Sequence, residues 1–386
     1  MSTTVPVRPP VPELRTAGSV LPAARPQTPF LRLDLDVAVA RYRRLAAALP
    51  GTAVHYAVKA NPDPGLLARL HAAGSRFDVA SPAEVLAALA AGAAPGDLVY
   101  SNPVKRRTDI ELAHLHGVRL FVVDTLEETD KVAAAAPGSA VLCRLVTPGE
   151  GSDWPLSRKY GCSTAQAVDV LTHALTLGLD AAGVSFHVGS QQRDPGAWAA
   201  PIAASARVFD QVRARGGRPH LLDLGGGFPA RLVGGCPPPE EYGATIGRLL
   251  DQHFGARRPD TLVEPGRGVV AEAGVLTTEV IGVVRRGEVR WVFLDAGVFT
   301  GLVETLEEAI RYPLETDRDG GPTGPCVVAG PTCDSADVLY QDTMVDLPLD
   351  LAEGDRVRLL GAGAYTSCYS TVGFNGFPPL VTHVVP

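Results

Sequence analysis

No C-x-x-C pair occurs among the six cysteines, Cys143, Cys162, Cys236, Cys326, Cys333 and Cys368. Their scatter offers neither a zinc knuckle nor a disulfide framework, and no metal site is expected. Free thiols in a large chain favour a reducing compartment, so a cytoplasmic protein is expected. Positive charge is also scarce: 35 basic against 42 acidic side chains leave a net charge of −7. A general nucleic-acid binder needs the opposite balance, so no nucleic-acid partner is expected. No apolar run reaches the length of a membrane span, so no membrane partner is expected either. The stretch Met1–Arg25 is rich in proline and lacks the hydrophobic segment of a secretory signal. It reads as part of a flexible arm over residues 1–28. No fixed-period repeat is evident. Disorder over most of the chain is excluded, because 46% of the residues are hydrophobic and only 20% charged.

What the 386 residues do contain is an alternation. After a first helical stretch, Val37–Leu49, short β-branched runs take turns with Ala/Leu-rich helical segments. The runs are Val54–Val58, Arg76–Ala80, Leu98–Tyr100, Val118–Val123, Ala140–Leu145, Gly183–Val188, His220–Leu224 and Thr261–Glu264. Such βα units make parallel sheets, and this many within about 230 residues point to a closed (β/α)8 barrel. A doubly wound open sheet would carry a G-x-G-x-x-G turn after its first strand. Here the first strand runs into Lys59 with no glycine turn. After Gly274 the rhythm changes to β-rich segments (Val275–Val284, Val289–Leu294, Val327–Ala329, Arg356–Leu360) with a Gly/Pro cluster at Asp317–Pro325. The α/β barrel is therefore placed at residues 37–274. A mainly antiparallel β-sandwich is placed at residues 29–36 and 275–386.

Barrel enzymes keep their chemistry at the carboxyl ends of the strands. Polar residues recur there: Lys59, Asp78 with Ser81 and Glu84, Arg144, His187 and Ser190, Gly225-Gly226-Gly227, then Glu264, Gly266 and Arg267. Each has a plainer reading alone. Three glycines make a tight turn, Lys59 snorkels at the surface, His187 is a core histidine, and Glu264 pairs with an arginine. As a ring they say more. Glycines after strands seven and eight converge backbone N–H groups on a phosphate, and Arg267 adds charge. A lysine among Ala57, Val58 and Ala60 is desolvated, which lowers its pKa and frees the amine to condense with an aldehyde. Glu264 can hold a pyridine nitrogen and His187 can stack on the ring. Lysine, phosphate cradle and acidic ring partner together imply pyridoxal 5'-phosphate.

Tyr56-Ala57-Val58-Lys59-Ala60-Asn61 resembles the cofactor-lysine motif of the fold type III, alanine-racemase-like pyridoxal-phosphate enzymes. Phe186-His187-Val188-Gly189-Ser190, Asp223-Leu224-Gly225-Gly226-Gly227-Phe228-Pro229 and Glu264-Pro265-Gly266-Arg267 resemble their ring-stacking, phosphate and pyridine-nitrogen segments. Gly330-Pro331-Thr332-Cys333-Asp334, Gly363-Ala364-Tyr365-Thr366 and Phe374-Asn375-Gly376-Phe377 resemble the ornithine, lysine and arginine decarboxylase branch in particular.

The resemblance implies a barrel plus β-sandwich, and a head-to-tail homodimer whose active sites are completed by the Cys-Asp loop of the other subunit. It implies decarboxylation of a basic L-amino acid, ornithine foremost, with lysine or arginine open, and a place in polyamine biosynthesis. Carried over, Lys59 attaches the cofactor, His187 stacks on it and Glu264 holds its ring nitrogen. Ser190, Gly226, Gly227, Gly266, Arg267 and Tyr365 bind its phosphate. Asp78, Glu84 and Arg144 support ring and lysine, and Lys159 links the domains. Cys333 returns a proton to Cα, Asp334 grips the distal cation, and Tyr365 and Phe374 border the substrate.

Glu308, beside Glu307, falls where the ornithine enzymes carry an aspartate, and arginine-specific relatives also show glutamate there. It is expected to reach the substrate's tail. Diaminopimelate decarboxylases show Cys-Glu-Ser where this chain has Cys333-Asp334-Ser335, and an acidic residue suits a tail ending in a simple cation. A related or biosynthetically modified diamino acid remains an alternative. A catalytically silent homologue acting as a binding protein is the remaining reading; it would have lost Lys59, Cys333 or the glycines.

Overall fold

A computed structural model describes residues 26–155 and 159–385. Most of the arm read over residues 1–28 lies outside the described residues. Strand β1 (Phe30–Asp34) leads into a helix, Leu35–Ala48, whose first turn is capped by the Asp34 carboxylate accepting from Val37 N at 3.1 Å. The barrel follows in chain order: β2 (Thr52–Ala57), β3 (Arg76–Val79), β4 (Leu98–Tyr100), β5 (Leu120–Val123) and β6 (Ala140–Arg144). After the short β7 (Ser152–Trp154) come β8 (Asp180–Ser185), the short β9 (Ser190–Gln192), β10 (Leu221–Asp223) and β11 (Asp260–Val263). The strands β10-β11-β2-β3-β4-β5-β6-β8 close in that order, and every barrel pairing is parallel. The fold class is the one the alternating sequence implies.

Strand periodicity then decides which side chains see the barrel axis. Phe77 and Val79 of β3, Val141 and Cys143 of β6, Leu222 of β10 and Val263 after β11's start pack outward under the helices. Val99, Val122, Leu142 and Ala182 fill the interior. The residues between or just beyond the outward set, Asp78, Arg144, Asp223 and Glu264, therefore point toward the barrel's mouth. Side-chain caps fix the helices that follow: Ser81 receives Glu84 N at 3.3 Å, Thr125 receives Glu128 N at 3.1 Å, and Ser163 and Gln166 form a capping box.

The sixth barrel strand ends sooner than the hydrophobic run Gly183–Val188 implies. It spans Asp180–Ser185; Phe186 N still donates to Asp223 O at 3.2 Å, and the backbone turns left-handed at Gly189. The first ends at Ala57, and Lys59 sits in a 3-10 turn, Val58–Ala60.

The second domain is a mixed sheet in which β1 joins β12 (Gly274–Arg286), β13 (Val289–Leu294), β14 (Leu314–Thr316), β15 (Thr323–Ala329), β16 (Val338–Pro348), β17 (Arg356–Leu360) and β18 (Val381–Val385). Most pairs are antiparallel, but β13–β15 and β1–β18 are parallel. Its core gathers Leu31, Leu276, Val292, Leu294, Val328 and Leu359. The loop after β17 is laid onto the barrel: Asn61 Nδ2 donates to Gly363 O at 2.9 Å and Tyr365 N to Ala60 O at 2.8 Å. Gly363 permits this approach, since a Cβ there would stand 2.1 Å from Val270 O. Among the described residues, no helix is long and apolar enough to cross a membrane.

Candidate active site

At the mouth, the Lys59 ammonium pairs with Asp78, whose other oxygen accepts from Ser101 Oγ. Asp78 is fully buried. The sequence reading gave Lys59 a lowered pKa, and the structure reverses it. Burial does pull the value down, but the carboxylates of Asp78 and Glu264 outweigh it and leave it raised. Those carboxylates arrive from β3 and from the end of β11, far from Lys59 in sequence.

Glu264 is pushed up to about 7, first by burial and then by the charge of Asp78. Its Oε1 is buried without a partner. Behind it lies Asp223, also raised by burial and by Glu264, with Oδ1 accepting from Gly225 N at 2.8 Å. His187 is held well below its ordinary value by burial and by the cations of Arg144 and Lys59, so its ring is neutral. Gly189 N donates to its Nδ1 at 3.0 Å, which places the proton of the neutral ring on Nε2. Gly226 leaves room for that ring: a Cβ there would lie 2.9 Å from His187 Nε2 and 2.7 Å from Glu264 O.

On the opposite flank Arg267 is buried, with Nη2 and Nε at 3.3 and 3.4 Å from Ser190 Oγ. Its guanidinium lies 5.1 Å from the Tyr365 ring centre, and Nη1 has no partner. Tyr365 adopts a left-handed backbone, φ +56°, that aims its hydroxyl toward Gly266, where a Cβ would stand 3.0 Å away. Gly227, φ +102°, closes the loop on this side and its carbonyl accepts from Gln192 N at 2.9 Å. A cavity of about 810 Å³ joins these groups, with Lys59, Arg144, His187, Ser190, Glu264 and Tyr365 on its wall. Trp154, Tyr160 and Tyr369 add an aromatic rim, and Arg144 and Lys159 stand over the Tyr160 ring at 5.8 and 5.0 Å. Ser157 and Arg158 of the Lys159 segment lie outside the described residues. Glu84 anchors the rim by accepting from Ala80 N at 2.7 Å.

These features fit pyridoxal phosphate. A buried acid lacks a partner where a ring nitrogen would sit, and a buried arginine lacks one where a phosphate would sit. The glycines between them leave space that any side chain would fill. The chain matches the model of the pyridoxal-dependent decarboxylases, pyridoxal binding domain, over residues 35–271. It belongs to that family, in its ornithine, lysine and arginine decarboxylase branch.

It is 37% identical over 358 residues to the lysine/ornithine decarboxylase of Selenomonas ruminantium, covering 92% of this chain and 89% of that one. The crystal structure of the Vibrio vulnificus lysine/ornithine decarboxylase with cadaverine superposes with a TM-score of 0.84 at 35% identity, over 93% of this chain and 94% of that one. The Paramecium bursaria Chlorella virus arginine decarboxylase bound to agmatine gives 0.85 at 28% identity, over 93% and 98%. The protein is thus a pyridoxal-phosphate-dependent amino-acid decarboxylase.

Cys333, Asp334, Phe374 and Glu308 stand away from the cavity of their own chain. Cys333 is exposed on the β domain, its N and Sγ at 3.2 and 3.5 Å from Asn375 Oδ1. Asp334 caps its own turn through Ala336 N at 2.9 Å. Phe374 packs against Phe299 with the rings tilted by 40° and their centres 4.5 Å apart. Glu308 departs furthest from expectation. Its carboxylate accepts from the backbone N–H groups of Gln341, Asp342 and Thr343 at 2.6, 2.7 and 3.1 Å, so it braces β16 rather than facing Lys59. Burial opposes its ionisation, but those bonds outweigh it and hold the carboxyl below its usual range.

The acid that this segment does send into the cavity is Glu304, which grips Arg267. Sequence reasoning missed it and also passed over Asp337. That buried carboxylate ties Thr332 N and Oγ1, at 2.9 and 2.7 Å, and Val298 N, at 2.8 Å, beneath the Cys333 loop.

Proposed function

We propose that this decarboxylase acts on a basic L-amino acid, ornithine or lysine foremost, in a site that two head-to-tail subunits build together. The observation that carries the reading is the separation of the parts. Lys59, Glu264 and His187 line one cavity, Arg267 is buried behind its Ser190, Glu304 and Tyr365, and no cysteine is among its lining residues. The thiol and carboxylate of Cys333 and Asp334 stand exposed on the same chain's β domain. A two-fold dimer brings the loop of one subunit to the cavity of the other.

The residues then divide the work. When bound, the cofactor supplies an electron sink for the pair left at Cα as carbon dioxide departs. Glu264, fixed at the end of β11 with a free oxygen, holds the ring nitrogen's proton. Neutral His187 packs on the ring face without adding charge that would compete with that sink. Ser190, Gly226, Gly227, Gly266, Arg267 and Tyr365 would hold the cofactor's phosphate. Asp78 orients the Lys59 side chain, which would carry the cofactor. Cys333 of the partner subunit returns a proton to Cα, and the partner's Asp334 accepts a hydrogen bond from the substrate's distal ammonium. A charged pair of this kind, partly shielded from water, favours a cationic tail over a neutral one.

The lysine/ornithine activity named for the Selenomonas and Vibrio relatives supports this range, and the arginine enzyme keeps arginine within it. The six unpaired cysteines suit a reducing cytoplasm. The test is a panel of carbon dioxide release from ornithine, lysine, arginine, diaminobutyrate and diaminopimelate. Ornithine or lysine should lead. A preference for diaminopimelate, whose tail is a second amino-acid head, would overturn the distal-cation reading.

A further inference from the structure

Arg267, set to hold the cofactor's phosphate, is already held by an acid. Both oxygens of Glu304 accept from its Nη2, at 2.7 and 2.8 Å. The two side chains are nearly sealed from solvent, 2% and 6% exposed. The remaining surfaces of the guanidinium are spoken for in a definite way. Tyr365 covers one face, Ser190 Oγ lies beside Nη2 and Nε, and Nη1 is buried without a partner. Glu304 comes from the short helix Val303–Glu308 of the β domain, whereas Arg267 follows β11, so the pair also crosses the domain boundary.

Two consequences follow from this geometry. A long arginine side chain held on one edge by a carboxylate loses its rotamer freedom before any ligand arrives, and leaves Nη1 as the nitrogen still unpaired. The same carboxylate also cancels the arginine's charge, so the pair presents almost no net positive charge to an incoming phosphate dianion. Buried charges act on one another over several ångströms with little screening. A cup built for the tightest grip would not carry an acid there.

We propose that Glu304 is a positioning residue for Arg267 that also weakens the hold on the cofactor phosphate, trading affinity for a fixed phosphate geometry. The proposal rests on the assignment of Arg267 to that phosphate. Glu304→Gln keeps an oxygen that accepts from Arg267 Nη2 and removes the charge. Glu304→Met removes both.

The experiment titrates cofactor-free protein with pyridoxal phosphate and with pyridoxal, which lacks the phosphate, following quenching of the protein's fluorescence. Glu304→Gln should bind pyridoxal phosphate about tenfold more tightly than the parent and leave pyridoxal affinity within about twofold. Glu304→Met should fall between the two, and its shortfall against Glu304→Gln measures the lost positioning. If Glu304→Gln does not fold, Glu304→Met decides alone: tighter than the parent for the phosphate compound supports the proposal, equal or weaker overturns it. A Glu304→Gln protein that gains equally for both compounds, or gains nothing, also overturns it. Arg267→Ala separates the two layers. If it leaves pyridoxal phosphate affinity unchanged, the phosphate assignment falls and the proposal falls with it. If it weakens that affinity while Glu304→Gln has no effect, the proposal alone fails.

Discussion

The barrel mouth and the Cys333 loop differ in how their polar atoms are satisfied. At the mouth, Glu264 Oε1 and Arg267 Nη1 are buried with nothing to bond. Such atoms are costly, and a fold tolerates them where a ligand completes them. On the loop, Cys333, Asp334 and the Asn375 side chain bond to one another or to nearby backbone in the open. One region is a cradle waiting for a cofactor. The other is a rigid tool with nothing of its own chain to act on, braced from below by Asp337. Under the proposed shared site, burial marks the half that a single chain finishes, and exposure the half that another chain would use.

The sharpest way to break this comparison is to empty the cradle. Lys59→Ala should abolish both activity and the visible absorbance of the bound cofactor, and borohydride reduction of the parent followed by peptide mapping should label Lys59. Labelling at Lys105 or Lys131 would remove the cradle from the mouth. Next in size is Cys333→Ala, which removes a proton donor. It should cost about 10²–10⁴ in kcat while the cofactor absorbance stays intact, because Lys59 and the phosphate cradle, not the thiol, attach the cofactor. A loss of absorbance there would merge the two regions. Asp334→Ala should lose roughly 30-fold or more in kcat/KM for the best basic amino acid, corresponding to about 2–5 kcal/mol for a charged partner removed. The loss for an uncharged analogue of equal length should be much smaller.

The cradle has a pH signature that the loop lacks. In the cofactor-free protein Glu264 titrates near 7 instead of near 4.5. At this group the folded state therefore binds more protons than the unfolded one between those values, so Glu264's own contribution to stability declines as pH rises through that window, while the lowered His187 contributes the opposite trend. Glu264→Gln should flatten the decline, with a difference of about 2–5 °C in Tm between its ends, read by thermal melts at several pH values. Adding cofactor should flatten it too.

Much of this division is legible in the sequence. The barrel shows because each short apolar run is followed by a helical stretch. The cradle shows because its residues end those runs, where strand parity turns Asp78, Arg144 and Glu264 inward. The electrostatics do not show. The raised pKa of Lys59 depends on two carboxylates from other strands, and local composition pointed the other way.

Nor does spacing tell Glu304 from Glu308. The backbone turns left-handed at Glu307 and Glu308, φ +54° and +53°, so helical periodicity fails where it was needed to say which acid enters the cavity. The smallest effect in the series follows from that. Glu308→Gln should leave the order of substrate preference unchanged and cost about 1 kcal/mol in stability, through weaker bonds to the β16 backbone. A changed preference would return Glu308 to the substrate's tail.

If the cradle and the tool of one working site belong to different chains, mixing two inactive proteins restores activity. Lys59→Ala and Cys333→Ala proteins, each inactive alone, are combined in equal amounts under conditions where exchange is shown independently. Random pairing makes half of the dimers mixed, and each mixed dimer holds one site with both groups intact, so activity should return to about a quarter of the parent's. No recovery despite proven exchange would mean that a single chain builds its own site.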